Sequence, residues 1–138
     1  MTTSNISVKG YSRVQRWPKD IVRSLYESAK ADNWVLAVEP DSLNRLLSSW
    51  VASEAVLFLA YNSEGTCVGG VTASVGDVHM SHVMSVDAAM IPVEYRNSTV
   101  TRKLYTAVRD LAKFMQCTHI STSVYSGNGK YITKYKVL

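Results

Sequence analysis

Three cations flank a short polar turn near the middle of the chain and could bind an anion. Arg96 lies in the turn 95–99, and Arg102 and Lys103 follow it closely. The turn joins an apolar stretch to a segment whose apolar positions recur at steps of three and four, as in an amphipathic helix. A helix N-terminus has unpaired N–H groups and partial positive charge, so this joint predicts an anion site. The alternative is an ordinary strand-to-helix connection in which Ser98 caps the helix.

Two histidines form an H-x-x-H pattern that does not predict a metal site. His79 and His82 lie in a predicted turn, and Asp77 is the nearby carboxylate. A structural zinc site needs four ligands, and this segment supplies a poor third at best. We therefore interpret the segment as a solvated loop and predict no metal.

Aromatic and basic residues alternate near the end of the sequence. Such interleaving can bind single-stranded nucleic acid by base stacking and phosphate contact. It is also typical of one face of a short helix docked on a sheet, and we favour this interpretation over a nucleic-acid partner. The residues are Tyr125, Lys130, Tyr131, Lys134, Tyr135 and Lys136.

The composition indicates one globular domain over residues 1–138. Hydrophobic residues make up 46% and charged residues 19%, with a net charge of +4 that suits anionic partners without requiring one. Cys67 and Cys117 are too few for a disulfide framework, which favours free thiols in a reducing compartment. No apolar run is long enough to cross a membrane, and no signal peptide is recognisable. We expect a location in the cytoplasm, or inside a virion assembled there.

The elements that must position these residues follow the order β-α-α-β-β-β-α-β-α. This order predicts an α/β (α+β) fold with a mixed, mostly antiparallel sheet flanked by helices, ending in a right-handed β–α–β crossover. Paired glycines at Gly69 and Gly70 indicate a bulge or a close backbone approach within a strand. Strands are predicted at 5–11, 55–61, 67–75, 84–91 and 118–125, helices begin near Pro18, Asp41 and Val100, and a short last helix covers 130–136.

This order and the central turn resemble the GNAT superfamily of acyl-CoA N-acyltransferases over essentially the whole chain. The family motif V-x-P-x-Y-R-x-x-G-x-G-x-x-L is matched at 91–104, where its Pro, Tyr, Arg and Leu are present. Thr99 and Thr101 replace its two glycines. Threonine disfavours positive φ and brings methyl groups towards a bound phosphate, although its hydroxyl can donate a hydrogen bond.

The resemblance implies a site for acetyl-CoA. The turn would hold the pyrophosphate, and free backbone groups of the central strand would bind the pantetheine arm. An Asn after the fifth strand is also common in the family. The implied cofactor-binding residues are Ala89, Ile91, Arg96, Asn97, Ser98, Thr99, Thr101, Arg102 and Asn128.

The resemblance also implies direct acetyl transfer with a general base and a general acid. Asp87 on the central strand is the first candidate for the base that deprotonates the amine, and Glu54 is the second. Tyr135, seven residues after Asn128, has the spacing of the family tyrosine that protonates the leaving thiolate. The alternative is that Asp87 satisfies neighbouring polar groups and Tyr135 is a packed aromatic.

Two functions remain open at this point. The first is a small N-acyltransferase that transfers acetyl from acetyl-CoA to an unknown small-molecule or protein amine. The second is a catalytically inactive GNAT-fold subunit with a structural or interaction role, such as a component of a virus or phage virion. Because the family continues into two more strands, the edge of strand 118–125 predicts a homo- or hetero-oligomer through this last strand. The alternative is that Tyr131 and Tyr135 cover that edge within the monomer.

Overall fold

The protein is described by a computed structural model that covers residues 5–31, 42–96, 98–127 and 130–138. Three helices are present in these ranges: α1 (Lys19–Ala31), α2 (Ser42–Ala52) and α3 (Thr99–Phe114). Two short 3-10 turns cover Val14–Arg16 and Val93–Tyr95. The strands are β1 (Ser7–Tyr11), β2 (Val56–Tyr61), β3 (Cys67–Val78), β4 (Ser81–Met90), β5 (His119–Gly127) and β6 (Lys130–Val137).

The six strands form one sheet in sequence order, β1-β2-β3-β4-β5-β6. Neighbours are antiparallel except β4 and β5, which α3 joins in parallel. The predicted mixed, mostly antiparallel class is confirmed. None of the helices in the described ranges is long and apolar enough to span a membrane.

Each face of the sheet has its own hydrophobic core. On one face, the α3 core contains Val100, Leu104 and Val108, as the helical spacing predicted. On the other face, the α1/α2 core is built around the stacked indoles of Trp17 and Trp50, whose ring centroids lie 5.5 Å apart. The sheet is therefore buried on both sides along its central strands.

The paired glycines of β3 let a helix approach each face closely. A Cβ at Gly69 would lie 3.2 Å from Val100 in the α3 core, and a Cβ at Gly70 would lie 3.0 Å from Leu25 of α1. The register also shifts beside Gly69, because Ala60 pairs with Gly69 while the next residue of β2 pairs with Cys67. Both features predicted from the glycine pair are thus present.

The predicted last helix over 130–136 is wrong, because this segment is strand β6. It pairs antiparallel with β5 from His119–Val137 to Gly127–Lys130. Its tyrosine, isoleucine, threonine and valine residues favour extended backbone, and a seven-residue helix would be marginal. The β5 edge that was expected to remain bare is therefore covered within the chain, and β6, exposed along its whole length, is the outer strand.

The two cysteines are free thiols. Burial raises the pKa of both the Cys67 and the Cys117 thiol, so both remain protonated at neutral pH.

Candidate functional site

A β-bulge in the centre of β4 places Asp87. Thr72 pairs with Ala88 and Ala73 pairs with Val86, so Asp87 is the extra residue on the β4 side. A bulge shifts the alternation of side chains between the two faces of the sheet by one residue. Val86 therefore packs in the α3 core, whereas Ala88 packs in the α1/α2 core. The bulge depends on the register with β3, which the sequence of β4 alone does not reveal.

The sheet opens next to this bulge. The parallel ladder of β4 and β5 contains three pairs and ends at Ser85–Ser121, where the Ser121 hydroxyl donates to the Ser85 hydroxyl at 3.0 Å. Beyond that pair, the side of β4 that faces β5 has no ladder partner in the part of the chain that is described. Extended backbone with open N–H and C=O groups suits a ligand that carries amides.

A cleft of about 570 Å³ occupies this opening, and we call it the β4–β5 cleft. This volume lies in the usual range for small-molecule sites. Its walls come from α2, α3, β4, β5 and β6, and the bulge forms part of the lining. The lining residues are Leu46, Ser49, Trp50, Ser53, Ser85, Val86, Asp87, Ala88, Ala89, Tyr105, Thr122, Ser123 and Tyr131.

Among the described residues that line the cleft, Asp87 is the one carboxylate. Its side chain is exposed to the cleft, yet the surrounding protein desolvates the carboxyl and raises its pKa, against a hydrogen bond from the Ser74 side chain that lowers it. A carboxylate with a raised pKa is a stronger base than one in water. The geometry therefore suits proton abstraction from a ligand in the cleft.

The turn before α3 is held together by its own side chains. The Ser98 hydroxyl accepts from the N–H of Val100 at 3.2 Å and donates to the carbonyl of Tyr95. The Thr101 hydroxyl donates to the same carbonyl at 3.3 Å. Thr99 and Thr101 lie in helical backbone and neither has a positive φ, so the glycine replacements create no backbone strain.

The cations near this turn also contact the protein itself. Nε of Arg96 donates to the carbonyl of Ile91 at 2.9 Å, and Nζ of Lys103 donates to the carbonyl of Ile6 at 2.9 Å. The Ile91 carbonyl, predicted to help bind the pantetheine arm, is thus engaged, while Ala89 lines the cleft. Arg102 is exposed on α3. Asn97 and Asn128, both predicted to bind the cofactor, lie outside the described residues.

The other two predicted catalytic residues, Glu54 and Tyr135, are not among the residues that line the β4–β5 cleft. Glu54 is in the turn after α2, with φ of 55°, and does not line the cleft. Tyr135 pairs with Ser121 and borders a separate pocket of about 160 Å³ beside His79 and His119. Their catalytic roles stay predictions.

Two tyrosines that were not predicted as site residues line the cleft. Tyr105 is on α3 beside the apolar stripe, and Tyr131 is on β6. Burial raises the pKa of Tyr105, so its phenol holds its proton more tightly than a phenol in water does. The helical phase of α3 could have flagged Tyr105 as bordering the core. Tyr131 reaches the cleft through β5–β6 pairing, which the Asn-Gly pair at 128–129 in the sequence could have indicated.

No group of three His, Cys, Asp or Glu side chains gathers as a metal site within the described ranges. His82 and Asp77 form a pair across the β3–β4 hairpin, with Nδ1 and Oδ1 3.1 Å apart.

No protein-family model matches the sequence, and no curated protein does either. Solved structures do resemble it. An aminoglycoside acetyltransferase from an uncultured soil metagenomic sample, in complex with trehalose, aligns with a TM-score of 0.65 and 16% identity over 88% of this chain and 79% of its own. AAC(6')-Iy in complex with a bisubstrate analogue of coenzyme A aligns with a TM-score of 0.63 and 14% identity over 91% and 83%. An acetyltransferase of the GNAT family from Staphylococcus aureus Mu50 aligns with a TM-score of 0.62 and 17% identity. The alignment covers 86% of this chain and 72% of the Staphylococcus protein. The chain therefore has the fold of the GNAT acetyltransferases.

Proposed function

We propose that the protein is an N-acetyltransferase that moves the acetyl group of acetyl-CoA to an amine of a small molecule or a protein. The observation that carries this proposal is Asp87, placed by the β4 bulge in the cleft where β4 and β5 separate. The open backbone edge of β4 fits the amide groups of a pantetheine arm. One of the similar structures contains a coenzyme A analogue, which supports the same ligand class.

Acetyl-CoA, when bound, supplies an acyl carbon activated as a thioester. Asp87 takes the proton of the incoming ammonium group, and its raised pKa improves it as a base. The neutral amine nitrogen then forms the new C–N bond as the C–S bond breaks, and the nitrogen releases its second proton to solvent, which balances the proton that the thiolate takes up. Tyr105, whose phenol lines the cleft, is the group that we assign to protonate the departing thiolate.

A second candidate is a GNAT-fold subunit without catalysis, which serves structure or interaction in the cytoplasm or in a virion. The turn before α3 favours it, because Ser98, Thr101 and Arg96 already hydrogen-bond within the protein. The two candidates differ in whether acetyl-CoA binds at all.

Calorimetric titration with acetyl-CoA, followed by thiol release with a panel of amines, tests the proposal. We expect wild type to bind acetyl-CoA, and Asp87→Asn to bind it with similar affinity while turnover falls about 10²- to 10⁴-fold. Asp110→Asn, an exposed carboxylate change on α3, is the matched control and should leave turnover unchanged. Absence of acetyl-CoA binding by wild type would refute the enzyme and favour the second candidate.

A further inference from the structure

Strand β6 is the outer strand of the sheet in the part of the chain that is described. Its residues, Lys130–Val137, are all exposed. An exposed edge strand offers N–H and C=O groups to which another chain can add a strand. β6 therefore has the geometry of an interaction surface.

The pairing with β5 shows which backbone groups of β6 point away from the sheet. The N–H of Leu138 donates to the carbonyl of Thr118 at 3.0 Å. Because the residues of an antiparallel strand direct their N–H and C=O groups alternately to its two sides, Thr133, Tyr135 and Val137 direct theirs outward. The outward groups of these residues have no hydrogen-bond partner among the described residues.

Lysines occupy one side of this strand, next to cations of α3. Lys134 and Lys136 share a side because they are two residues apart, and Lys136 pairs with Ile120 of the α3 core. Arg109 and Lys113, one helical turn apart on α3, border the same groove of about 520 Å³ as the two lysines. We call these four cations the basic face of β6. They make no ion pair or hydrogen bond within the described ranges.

This charge disfavours a second copy of the chain as the partner. Antiparallel pairing of two β6 strands about Thr133 sets Lys130 opposite Lys136, and pairing about Lys134 sets that lysine opposite its own copy. Like charges directly opposite each other destabilise a pair of strands. Lysines on the edge thus prevent self-pairing, while they still admit a strand of opposite charge.

The position of Tyr131 disfavours a single-stranded nucleic acid. Its side chain lines the β4–β5 cleft with Trp50 of the α1/α2 core, on the side of the sheet opposite the lysines. Binding of a single strand by base stacking and phosphate contact needs aromatic rings and cations on one surface. The extended backbone of β6 separates the two instead.

We propose that β6 binds an extended acidic segment of another protein, which adds to the sheet as a further strand. The backbone of this segment pairs with the outward groups of Thr133, Tyr135 and Val137. Its carboxylates lie beside the basic face, where charge-assisted contacts with Lys134 and Lys136 set the register of the added strand. The inference is independent of whether the protein binds acetyl-CoA.

Calorimetric titration with a capped peptide of alternating glutamate and valine tests this surface. We expect saturable binding by wild type, and Lys134→Gln/Lys136→Gln should weaken it about tenfold or more, because two charge-assisted contacts are lost. Arg16→Gln/Arg23→Gln removes the same charge from exposed positions near and on α1 and should change the dissociation constant less than about twofold. Thermal unfolding of both double variants should match wild type.

A second peptide separates strand addition from attraction between charges. The same sequence, N-methylated at every backbone amide, keeps its carboxylates but cannot donate the hydrogen bonds of an added strand. It should bind wild type at least about tenfold more weakly than the unmodified peptide.

The remaining outcomes would overturn the proposal. If wild type does not bind the unmodified peptide, or binds the N-methylated peptide as tightly, strand addition at β6 is refuted. If both double variants weaken binding equally, general charge attraction explains it and the basic face is refuted. A dimer in light scattering that the peptide does not dissociate would assign the edge to a second copy. A short single-stranded oligonucleotide that binds more tightly than the peptide, with the same loss in the lysine double, would assign the surface to nucleic acid.

Discussion

The close approach of α1 to the sheet over Gly70 can be tested by adding one methyl group. In Gly70→Ala, the new Cβ would lie 2.8 Å from Cδ2 of Leu59 and 3.0 Å from Cδ1 of Leu25. Carbon atoms pack best at about 3.5–4.0 Å, so one or both leucines must move. Leu59 is 0% exposed and Leu25 is 5% exposed, which leaves little room for that movement.

The expected cost follows from these contacts. Overpacking a buried site lowers the free energy of unfolding by about 1–3 kcal/mol. Alanine also reduces the conformational entropy of the unfolded chain relative to glycine, which offsets about 0.4–1 kcal/mol of that loss. Gly70→Ala should therefore lower the free energy of unfolding by roughly 1–2 kcal/mol. Gly76 is the matched control, because it lies on the same strand and a Cβ there meets nothing within 4 Å. Gly76→Ala should be neutral or stabilising.

Urea denaturation followed by circular dichroism gives both free energies on one scale. We expect the two variants to differ by about 2 kcal/mol with equal m-values. If Gly70→Ala were as stable as Gly76→Ala, the helix would not press on β3 as described, and the packing of the α1/α2 core would have to be revised.

Two further predictions concern polar groups near the bulge. The hydroxyl of Thr72 is buried and has no hydrogen-bond partner among the described residues. Thr72→Val should therefore stabilise the protein by about 1 kcal/mol in the same denaturation assay. A loss of stability would show that the hydroxyl does have a hydrogen-bond partner. Burial raises the pKa of Asp87 above 3.8, so the folded state keeps the proton to higher pH than the unfolded state and ionisation reduces stability as pH rises. The melting temperature of Asp87→Asn relative to wild type should thus increase from about pH 4 to 7, and a difference that shrinks with rising pH would contradict the raised pKa.

The strand–turn–helix joint and α3 could be predicted because their signals are local. The apolar residues of α3 recur with the helical period, and Ser98 is an N-cap residue that caps the helix as expected. The last strand was not predicted, although its signal is also local. β6 pairs with β5, which precedes it directly in the chain, and the Asn-Gly pair at 128–129 in the sequence is a hairpin signal. The alternation of aromatic and basic residues over 130–136 was interpreted as the face of a short helix instead.

The position of Asp87 could be predicted only in part. The sequence indicated a carboxylate on the central strand, whereas the bulge and the cleft depend on register with β3 and β5. Met84, Val86, Ala88 and Met90 occupy alternate positions, which is the pattern of an unbroken strand with one buried face. The first two pack in the α3 core and the last two in the α1/α2 core, so the simple pattern conceals a change of face.

In evolutionary terms, the bulge makes the β3–β4 hairpin sensitive to insertions and deletions. β4 uses three residues, 86–88, where β3 uses two, 72–73. Losing one residue from β4 at this point would restore regular pairing and leave the later residues of β4 on their present faces, but it would remove the extra residue that lines the cleft. Gaining one residue in β3 would also restore regular pairing, but it would turn every later residue of β4 to the opposite face. Met90 would then enter the α3 core, and Ile91 would leave it. Proteins that share this site should therefore vary here by substitution while the lengths of both segments stay fixed together.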